Sequence, residues 1–282
     1  MNAVREAYRF LRWRPIPIRY AGKLRRTLTG SRPAPVPRSA GLEGLWDNGW
    51  VAGPSIPQAD LEPIRALYAP RIAAVKPVPG GHPFTNLFEA QDISPDNPLC
   101  RFAFSREVLD AAHDYFDGQP RYNSIQLMYS WPTEGPLRES QMWHRDYGDS
   151  KSFHCIAYIN DVLTADHGPF GFVDKHDTRR IRKLPIIRRI SDDKFARELG
   201  DGKVITFTGK AGESVFVDPS ACYHYGSRCR IPRLAVFVTF STDRPYVSQT
   251  GFVEENRERF LETARAIRPD LSDAYLRSIL SS

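Results

Sequence analysis

Hydrophobic residues recur at helical spacing in four parts of the chain. Between residues 60 and 73 they repeat every three or four positions behind Asp60, which we expect to cap the helix. A second helix is predicted to begin after Ser105 and to end at Gly118. Near the end of the chain, the same pattern predicts a helix over 254–267 and a shorter one after Ser272.

The hydrophobic period changes to two at Tyr122. Ile125 and Leu127 then fall on one face of a predicted strand, and Gln126 and Met128 fall on the other. No helix-length pattern alternates with the strands, so a parallel α/β sheet is disfavoured and an antiparallel sandwich or barrel is favoured. The fold class predicted is therefore mainly β. Further strands are predicted at 153–162, 170–173, 203–208, 213–217 and 234–241.

The chain divides into an arm and one predicted domain. Residues 1–40 combine a helix-like stretch with Pro33, Pro35 and Pro37, which cannot pair into a sheet. We expect this segment to be a basic arm, packed loosely as a solvated tail or, alternatively, binding an interface or an anionic partner. Residues 41–282 are predicted to form one domain with a β core at about 120–245 and an insertion at about 178–200.

Charge is concentrated in the arm. The net charge is +6, but residues 1–38 hold ten basic residues and one acidic residue, which leaves −3 for the remainder. Nucleic-acid binding by the domain is therefore not expected. A second basic stretch lies in the insertion, where solvated charge, a lid and a contact for an acidic substrate are the alternatives. It comprises Arg179, Arg180, Arg182, Lys183, Arg188 and Arg189.

Cysteine usage and hydropathy bear on location. The four cysteines lack the spacing of zinc sites and the density of a disulfide scaffold, which favours reduced thiols. No apolar run approaches the roughly 18 residues that a membrane-spanning helix needs. The residues after the first basic positions also lack the apolar core of a signal peptide. We expect a cytoplasmic protein without a transmembrane segment, and the sequence leaves the oligomeric state open.

Three residues have the chemistry of a metal site. His144 and Asp146 are two positions apart at the end of a strand-like stretch, so in extended backbone both side chains point to the same side. His224 follows a later strand and supplies a third candidate ligand. Two histidines and one carboxylate on one face of an octahedral ion leave three positions open, as in non-haem iron(II) oxygenases. Those positions accept a bidentate 2-oxo acid and dioxygen.

An arginine completes the predicted site. 2-Oxoglutarate has a distal carboxylate, and a guanidinium can grip a carboxylate through two parallel hydrogen bonds. Arg233, at the start of the last predicted strand, is the first choice, and Arg228 and Arg230 in the preceding polar loop rank second. Gln126 and Tyr158 are further candidate contacts for the co-substrate, since their strands are predicted to flank the metal.

The remaining histidines lack partners at ligand spacing, and we interpret them as surface or core residues. His154 is predicted to lie beside the active strand and is a candidate substrate contact. The others are His82, His113, His167 and His176.

The order of these motifs resembles the phytanoyl-CoA dioxygenase family over roughly residues 80–245. The features that carry the resemblance are the His-x-Asp motif, Ile159-Asn160-Asp161-Val162, the segment from Asp166 to Val173, Ala211-Gly212 followed by Asp218, and the distal histidine and arginine. The resemblance implies a double-stranded β-helix, Fe(II) held by His144, Asp146 and His224, and 2-oxoglutarate held by Arg233. The chain departs from the family at 174–177, where Asp-Lys-His-Asp replaces the usual Pro-Gly-Ser-His turn. Related halogenases lack the carboxylate ligand, so Asp146 disfavours halogenation.

The predicted function is an Fe(II)- and 2-oxoglutarate-dependent dioxygenase that oxidises, most simply hydroxylates, a C–H bond of a small-molecule or carrier-linked substrate. Dioxygen is the oxidant, and succinate and carbon dioxide are released. Two alternatives remain open: an iron oxygenase or isomerase that does not use 2-oxoglutarate, and a jelly-roll binding module without catalysis. The basic stretches suggest an anionic substrate, although solvated charge explains them equally well.

Overall fold

Two antiparallel sheets form the centre of the computed structural model, which describes residues 40–77, 81–146, 148–182, 188–243, 245 and 250–280. Within these ranges the strands are β1 (Trp50–Ala52), β2 (Phe84–Asn86), β3 (Arg121–Ser130), β4 (Trp143–His144), β5 (Ser152–Tyr158), β6 (Phe170–Phe172), β7 (Arg189–Ile190), β8 (Ile205–Phe207), β9 (Ser214–Val217), β10 (His224–Tyr225) and β11 (Arg233–Ser241). The helices are α1 (Glu43–Asp47), α2 (Gln58–Ala74), α3 (Pro98–Ala103), α4 (Arg106–Tyr115), α5 (Lys175–Thr178), α6 (Asp192–Leu199), α7 (Gly251–Glu255), α8 (Arg257–Ile267) and α9 (Asp273–Ile279).

The larger sheet has the strand order β1-β9-β5-β11-β3-β2, and the smaller sheet has the order β7-β4-β10-β6-β8. All pairings between these strands are antiparallel. The arrangement is mainly β with flanking helices, which confirms the fold class predicted from the period-two pattern.

The two faces of the larger sheet have different environments. On one face of β3, Ile125 and Leu127 pack in the main hydrophobic core together with helix residues such as Ile64 and Phe260. On the opposite face, Ser124, Gln126 and Met128 line a cavity. Because successive strand residues point to opposite faces, one strand supplies both the core and the cavity wall. The alternation read from the sequence is therefore confirmed.

The long predicted elements are confirmed, with differences at their ends. Ser105 accepts a hydrogen bond from the backbone N–H of Val108 and caps α4, and Ser272 caps α9 in the same way. Asp60 is not the cap that we predicted, because α2 already begins at Gln58 after Pro57 and Asp60 instead pairs with Arg101. The helix predicted over 254–267 is interrupted at Asn256, which separates α7 from α8.

The insertion contributes to the smaller sheet. Its strand β7 pairs with β4, and its helix α6 supplies Phe195 and Leu199 to a second hydrophobic cluster with Trp143 and Tyr223. The insertion is therefore more than a solvated basic loop, although Lys183 and its four following neighbours lie outside the described residues. The predicted arm falls outside them as well, apart from residue 40. No helix in the described ranges combines the length and hydropathy needed to cross a membrane.

Candidate metal centre

The first two candidate ligands lie side by side on neighbouring strands. His144 ends β4 and His224 begins β10, and the two residues are direct partners in the antiparallel register. Their rings lie 4.2 Å apart between centroids. Asp146 follows two residues after His144, and its backbone N–H donates to the carbonyl oxygen of Pro219 at 2.9 Å. The register of two very short strands therefore brings together residues that are 80 positions apart.

The donor atoms of these residues surround a common point. The Oδ1 atom of Asp146 lies 3.9 Å from Nε2 of His144 and 3.8 Å from Nε2 of His224. One ligand atom from each of the three residues lies within 4.8 Å of the other two. In the part of the chain that the structure describes, these residues are the group of His, Cys, Asp or Glu side chains that could hold a metal ion. Two imidazole nitrogens and one carboxylate oxygen on one side of an ion match the arrangement that suits non-haem iron.

Backbone carbonyls orient both imidazoles. Nδ1 of His144 lies 2.8 Å from the carbonyl oxygen of Met142, and Nδ1 of His224 lies 3.1 Å from that of Cys222. A carbonyl oxygen can only accept, so each Nδ1 carries the hydrogen and each Nε2 keeps its lone pair. Both lone pairs are therefore available on the side of Asp146, as metal binding requires.

The electrostatics favour the protonation states that a metal needs. Burial, followed by the neighbouring His224, lowers the pKa of His144 to about 3, so this imidazole is neutral near pH 7. Burial raises the pKa of Asp146, but His224, His154 and His144 together lower it by more, and the pKa lies below its usual value. Neutral imidazole and ionised carboxylate are the forms that bind metal. The donor set therefore fits an Fe(II) ion.

The donor atoms face a cavity of about 520 Å³ between the two sheets. This volume lies within the range of about 300–1,000 Å³ that is usual for small-molecule sites. Phe170 and Phe237 contribute apolar surface, and Ser124, Gln126 and Thr239 contribute uncharged polar groups.

Arg233 lies at the opposite end of the cavity wall from His154 and Thr239. Its side chain is buried, with 2% of the residue exposed, and it lines the cavity. The guanidinium donates to the carbonyl oxygen of Gly168 and to the hydroxyl of Ser227, while its Nε has no partner. Within the described ranges, no carboxylate forms an ion pair with Arg233. A buried cation without a counter-charge favours an anionic ligand in this cavity.

The two second-ranked arginines are engaged elsewhere. Arg228 pairs with Asp192 at 2.8 Å and stacks on the ring of Tyr225. Arg230 has an 85% exposed side chain and lies 3.6 Å from Asp166. Neither residue lines the cavity, so the geometry favours Arg233.

The two further candidates have different surroundings. Gln126 lines the cavity, and within the described part of the chain its side-chain amide forms no hydrogen bond, so the amide is available to a ligand. Tyr158 is buried behind the cavity wall, and its hydroxyl donates to Phe207 and accepts from the N–H of Phe170. Its ring lies 6.0 Å from the guanidinium carbon of Arg233. Direct contact between Tyr158 and a co-substrate stays a prediction that this arrangement does not support.

The structure adds one residue that sequence reasoning did not select. Ser227 has a positive φ of 58° and bonds both Arg233 and Ser130 through its hydroxyl. No periodic pattern distinguishes Ser227, because it lies in a loop. Phe84 also lines the cavity, from the short edge strand β2. Among the other histidines, His154 lines the cavity and His113 bonds Tyr275 away from it.

Comparisons with known proteins support the fold. No protein-family model matches the chain, and no curated protein matches it significantly. Among solved structures, the chain is similar to the epimerase SnoN in complex with Fe3+, alpha ketoglutarate and nogalamycin RO. The TM-score is 0.55 at 14% identity, covering 75% of this chain and 86% of that one. It is also similar to the non-heme alpha ketoglutarate dependent carbocyclase SnoK, with a TM-score of 0.53 at 16% identity, covering 80% and 94%. The chain therefore has the jelly-roll fold of these enzymes.

Proposed function

We propose that the protein is an Fe(II)- and 2-oxoglutarate-dependent dioxygenase. The observation that carries this proposal is a three-residue donor set, with two oriented imidazoles and one carboxylate, in the same cavity as a buried arginine without a counter-charge. His144, Asp146 and His224 would hold the metal, and Arg233 would hold the distal carboxylate of 2-oxoglutarate. Fold similarity to SnoN and SnoK agrees with this assignment.

The residues of the chain have separate tasks in this proposal. The triad leaves half of an octahedral ion free, so that the keto-acid end of 2-oxoglutarate and dioxygen have places to bind. When bound, the iron would activate dioxygen, which oxidises 2-oxoglutarate to succinate and carbon dioxide and supplies the oxygen atom that is inserted into a C–H bond. Arg233 and Ser227 orient the co-substrate, and the Gln126 amide is available to either ligand. The apolar side chains of Phe170 and Phe237 exclude water.

We infer an uncharged reacting group on the substrate. Apart from the triad, His154 and Arg233, the described residues that line the cavity carry no titrating charge. The charges of Asp146 and Arg233 are matched by metal and co-substrate in this proposal. Phenylalanine rings and neutral polar groups remain for the substrate, which suits a small organic molecule with hydroxyl or carbonyl groups. SnoN, to which the chain is similar in fold, was crystallised in complex with nogalamycin RO.

Membership of the phytanoyl-CoA dioxygenase family is the finer part of the proposal. The motif order supports it, and the departure at 174–177 has a local explanation. Asp174 caps α5 by accepting from the backbone N–H of Asp177, and Lys175 bonds Asn48 through its backbone N–H. The different turn therefore closes a short helix against the start of the domain. A cytoplasmic location and a single domain over 41–282 are likewise proposals.

Succinate formation tests the proposal. Purified protein loaded with Fe(II) is incubated with 2-oxoglutarate and oxygen, and succinate is measured for the wild type, Asp146→Ala and the surface control Arg230→Ala. Many such enzymes turn over the co-substrate slowly without substrate, so slow wild-type succinate release is expected. We expect Asp146→Ala to abolish it, because the metal loses its only anionic ligand, and Arg230→Ala to leave it unchanged. Succinate release that persists in Asp146→Ala would contradict the assignment.

The two alternatives give different results. An iron oxygenase or isomerase without 2-oxoglutarate would bind metal through the triad, but Arg233→Ala would not impair its turnover. A binding module would neither form succinate nor be stabilised by metal and 2-oxoglutarate.

A further inference from the structure

The two carboxylate oxygens of Asp146 face different groups. Oδ1 lies 3.9 and 3.8 Å from the Nε2 atoms of His144 and His224. The other oxygen, Oδ2, lies 3.8 Å from Nε2 of His154. One oxygen is thus placed among the donor atoms of the candidate metal centre, and the other is placed toward a third imidazole.

His154 is held in this position by the larger sheet. It lies on β5, opposite Thr239 of β11, and Thr239 is in turn opposite Ser124 of β3. All three side chains line the cavity, and the two hydroxyls bond each other at 2.8 Å. The strand register therefore fixes the imidazole of His154 relative to Asp146, which belongs to the segment after β4 of the smaller sheet.

His154 is not placed as a fourth ligand. It does not belong to the group whose donor atoms all lie within 4.8 Å of one another. Its side chain is only 19% exposed, and its ring forms no hydrogen bond with another residue in the described ranges. A largely buried polar ring of this kind requires a partner. Among the described residues, the carboxylate closest to this ring is that of Asp146, through Oδ2.

We propose that His154 is a positioning residue: Nε2, 3.8 Å from Oδ2 of Asp146 in this structure, closes to hydrogen-bond distance when the metal is bound, donates its N–H to Oδ2 and keeps Oδ1 directed at the metal. This inference rests on the proposed function. Partners of this kind orient a ligand, and their loss typically costs about 10–100-fold in metal affinity. The contact has a second consequence, because a carboxylate whose outer oxygen is occupied binds through one oxygen only. Without His154, Oδ2 could also coordinate and would fill one of the three positions that the co-substrate and dioxygen need.

Co(II) binding to the metal-free protein tests the inference without any turnover. We would measure the dissociation constant by calorimetry and the visible spectrum of the Co(II) complex for five proteins: wild type, His154→Gln, His154→Asn, Thr239→Val and Asp146→Ala. A glutamine amide can still reach Oδ2, whereas an asparagine amide is too short. The expected result is an affinity within a few-fold of wild type for His154→Gln and about 10–100-fold weaker binding for His154→Asn.

The spectrum separates positioning from a general structural effect. We expect His154→Asn to alter the Co(II) absorption, because Asp146 changes its coordination, and Thr239→Val to leave affinity and spectrum unchanged. Thermal melts of the metal-free proteins confirm that each variant is folded. His154→Gln and His154→Asn both introduce a polar amide, so the metal affinities of these two variants can be compared even where a larger change at residue 154 would unfold the chain.

Two failures are distinguishable. If His154→Asn binds Co(II) as tightly as His154→Gln and the wild type, with the same spectrum, the positioning role is overturned and the proposed function survives. If the wild type itself does not bind Co(II), or Asp146→Ala binds it as well as the wild type, the proposed function fails.

Discussion

The two ligand histidines use the same local device. In each case Nδ1–H donates to the carbonyl oxygen two residues earlier, Met142 for His144 and Cys222 for His224. In extended backbone, residues two apart share a face, so the ring can reach back along its own strand. The tautomer and the ring direction are thus set by the strand itself and need no second side chain. Such short-range orientation places both Nε2 atoms before any metal arrives.

Arg233 allows a prediction at the residue scale. Arg233→Ala should weaken 2-oxoglutarate binding to the Co(II)-loaded protein by on the order of 100-fold or more, because hydrogen bonds to charged groups contribute about 1.5–3 kcal/mol each. Metal affinity should change little, since Arg233 is not in the donor group. Calorimetric titration of 2-oxoglutarate into both proteins measures the difference.

Arg230→Ala is the matched control for this experiment. It removes an exposed guanidinium three positions away, whose pair with Asp166 is worth little in water. Equal 2-oxoglutarate affinities for wild type and Arg233→Ala would show that the buried cation serves the fold and not the co-substrate. An effect of Arg230→Ala comparable to that of Arg233→Ala would indicate unspecific attraction by positive charge.

The positions of side chains in the site could be predicted from the sequence only where residues close together in the chain determine those positions. The i, i+2 relation of His144 and Asp146 follows from strand geometry, and His224 lies beside them in the structure. The burial of Tyr158 behind Arg233 and the approach of His154 to Asp146 depend on contacts between strands that are distant in sequence. Such contacts leave no local pattern in the chain, so spacing alone could not rank these residues.

At the scale of elements, length decided what could be predicted. The nine- and ten-residue strands β11 and β3 have several alternations, and their predicted starts at Leu234 and Tyr122 each lie one residue after the observed ones. Strands β4 and β10 have two residues each, too few for any period, yet they carry two of the candidate ligands. Their existence depends on pairing across the smaller sheet, a tertiary effect. The candidate ligands were therefore selected by their chemistry, and the pairing of β4 with β10 could not be predicted from hydrophobicity.

The insertion supports the metal centre through one aromatic residue. Phe195 of α6 stacks on Trp143 at 3.8 Å between ring centroids and meets the ring of Tyr223 at 5.5 Å. Those two residues immediately precede His144 and His224. The helix that interrupts the strand series therefore packs behind both ligand strands, on the side away from the cavity.

Phe195→Ala should accordingly affect both stability and the site. Truncating a buried phenylalanine typically costs about 3–5 kcal/mol, because it removes apolar contacts and leaves a cavity. We also expect weaker Co(II) binding, since β4 and β10 lose the surface that fixes them. Urea unfolding and calorimetry measure the two effects, with the exposed Arg197→Ala on the same helix as control. Lost stability with unchanged metal affinity would show that the cluster serves the fold alone.

For the whole molecule, charge is distributed in a way that the sequence total conceals. Arg180 of the insertion pairs with Asp177 and Asp201, and Arg189 pairs with Glu139. These guanidinium groups are matched locally, so the insertion offers an anionic substrate less free charge than its composition suggests. The +9 of residues 1–38 lies outside the described residues. The cavity lining outside the triad, His154 and Arg233 is uncharged, and this part of the lining is the better guide to the substrate.

The site also joins the two sheets, which gives the last prediction. His144 and His224 belong to the smaller sheet, whereas Arg233 begins the last strand of the larger one. A metal bound to the triad and 2-oxoglutarate bound between metal and arginine would link them, and ligands that bind only the folded state raise its stability. At 100 times the dissociation constant the gain is about 2.7 kcal/mol. For a chain of this size that corresponds to roughly 5–10 °C in melting temperature.

The two ligands should act in sequence in a thermal melt. Co(II) alone should raise the melting temperature of the wild type, and 2-oxoglutarate should raise it further only when Co(II) is present, because the metal supplies half of its site. Asp146→Ala should lose both increments, and Arg233→Ala should keep the first and lose the second. An increment from 2-oxoglutarate without metal would place its binding elsewhere, and no increment from either ligand would leave a jelly-roll binding module as the better description.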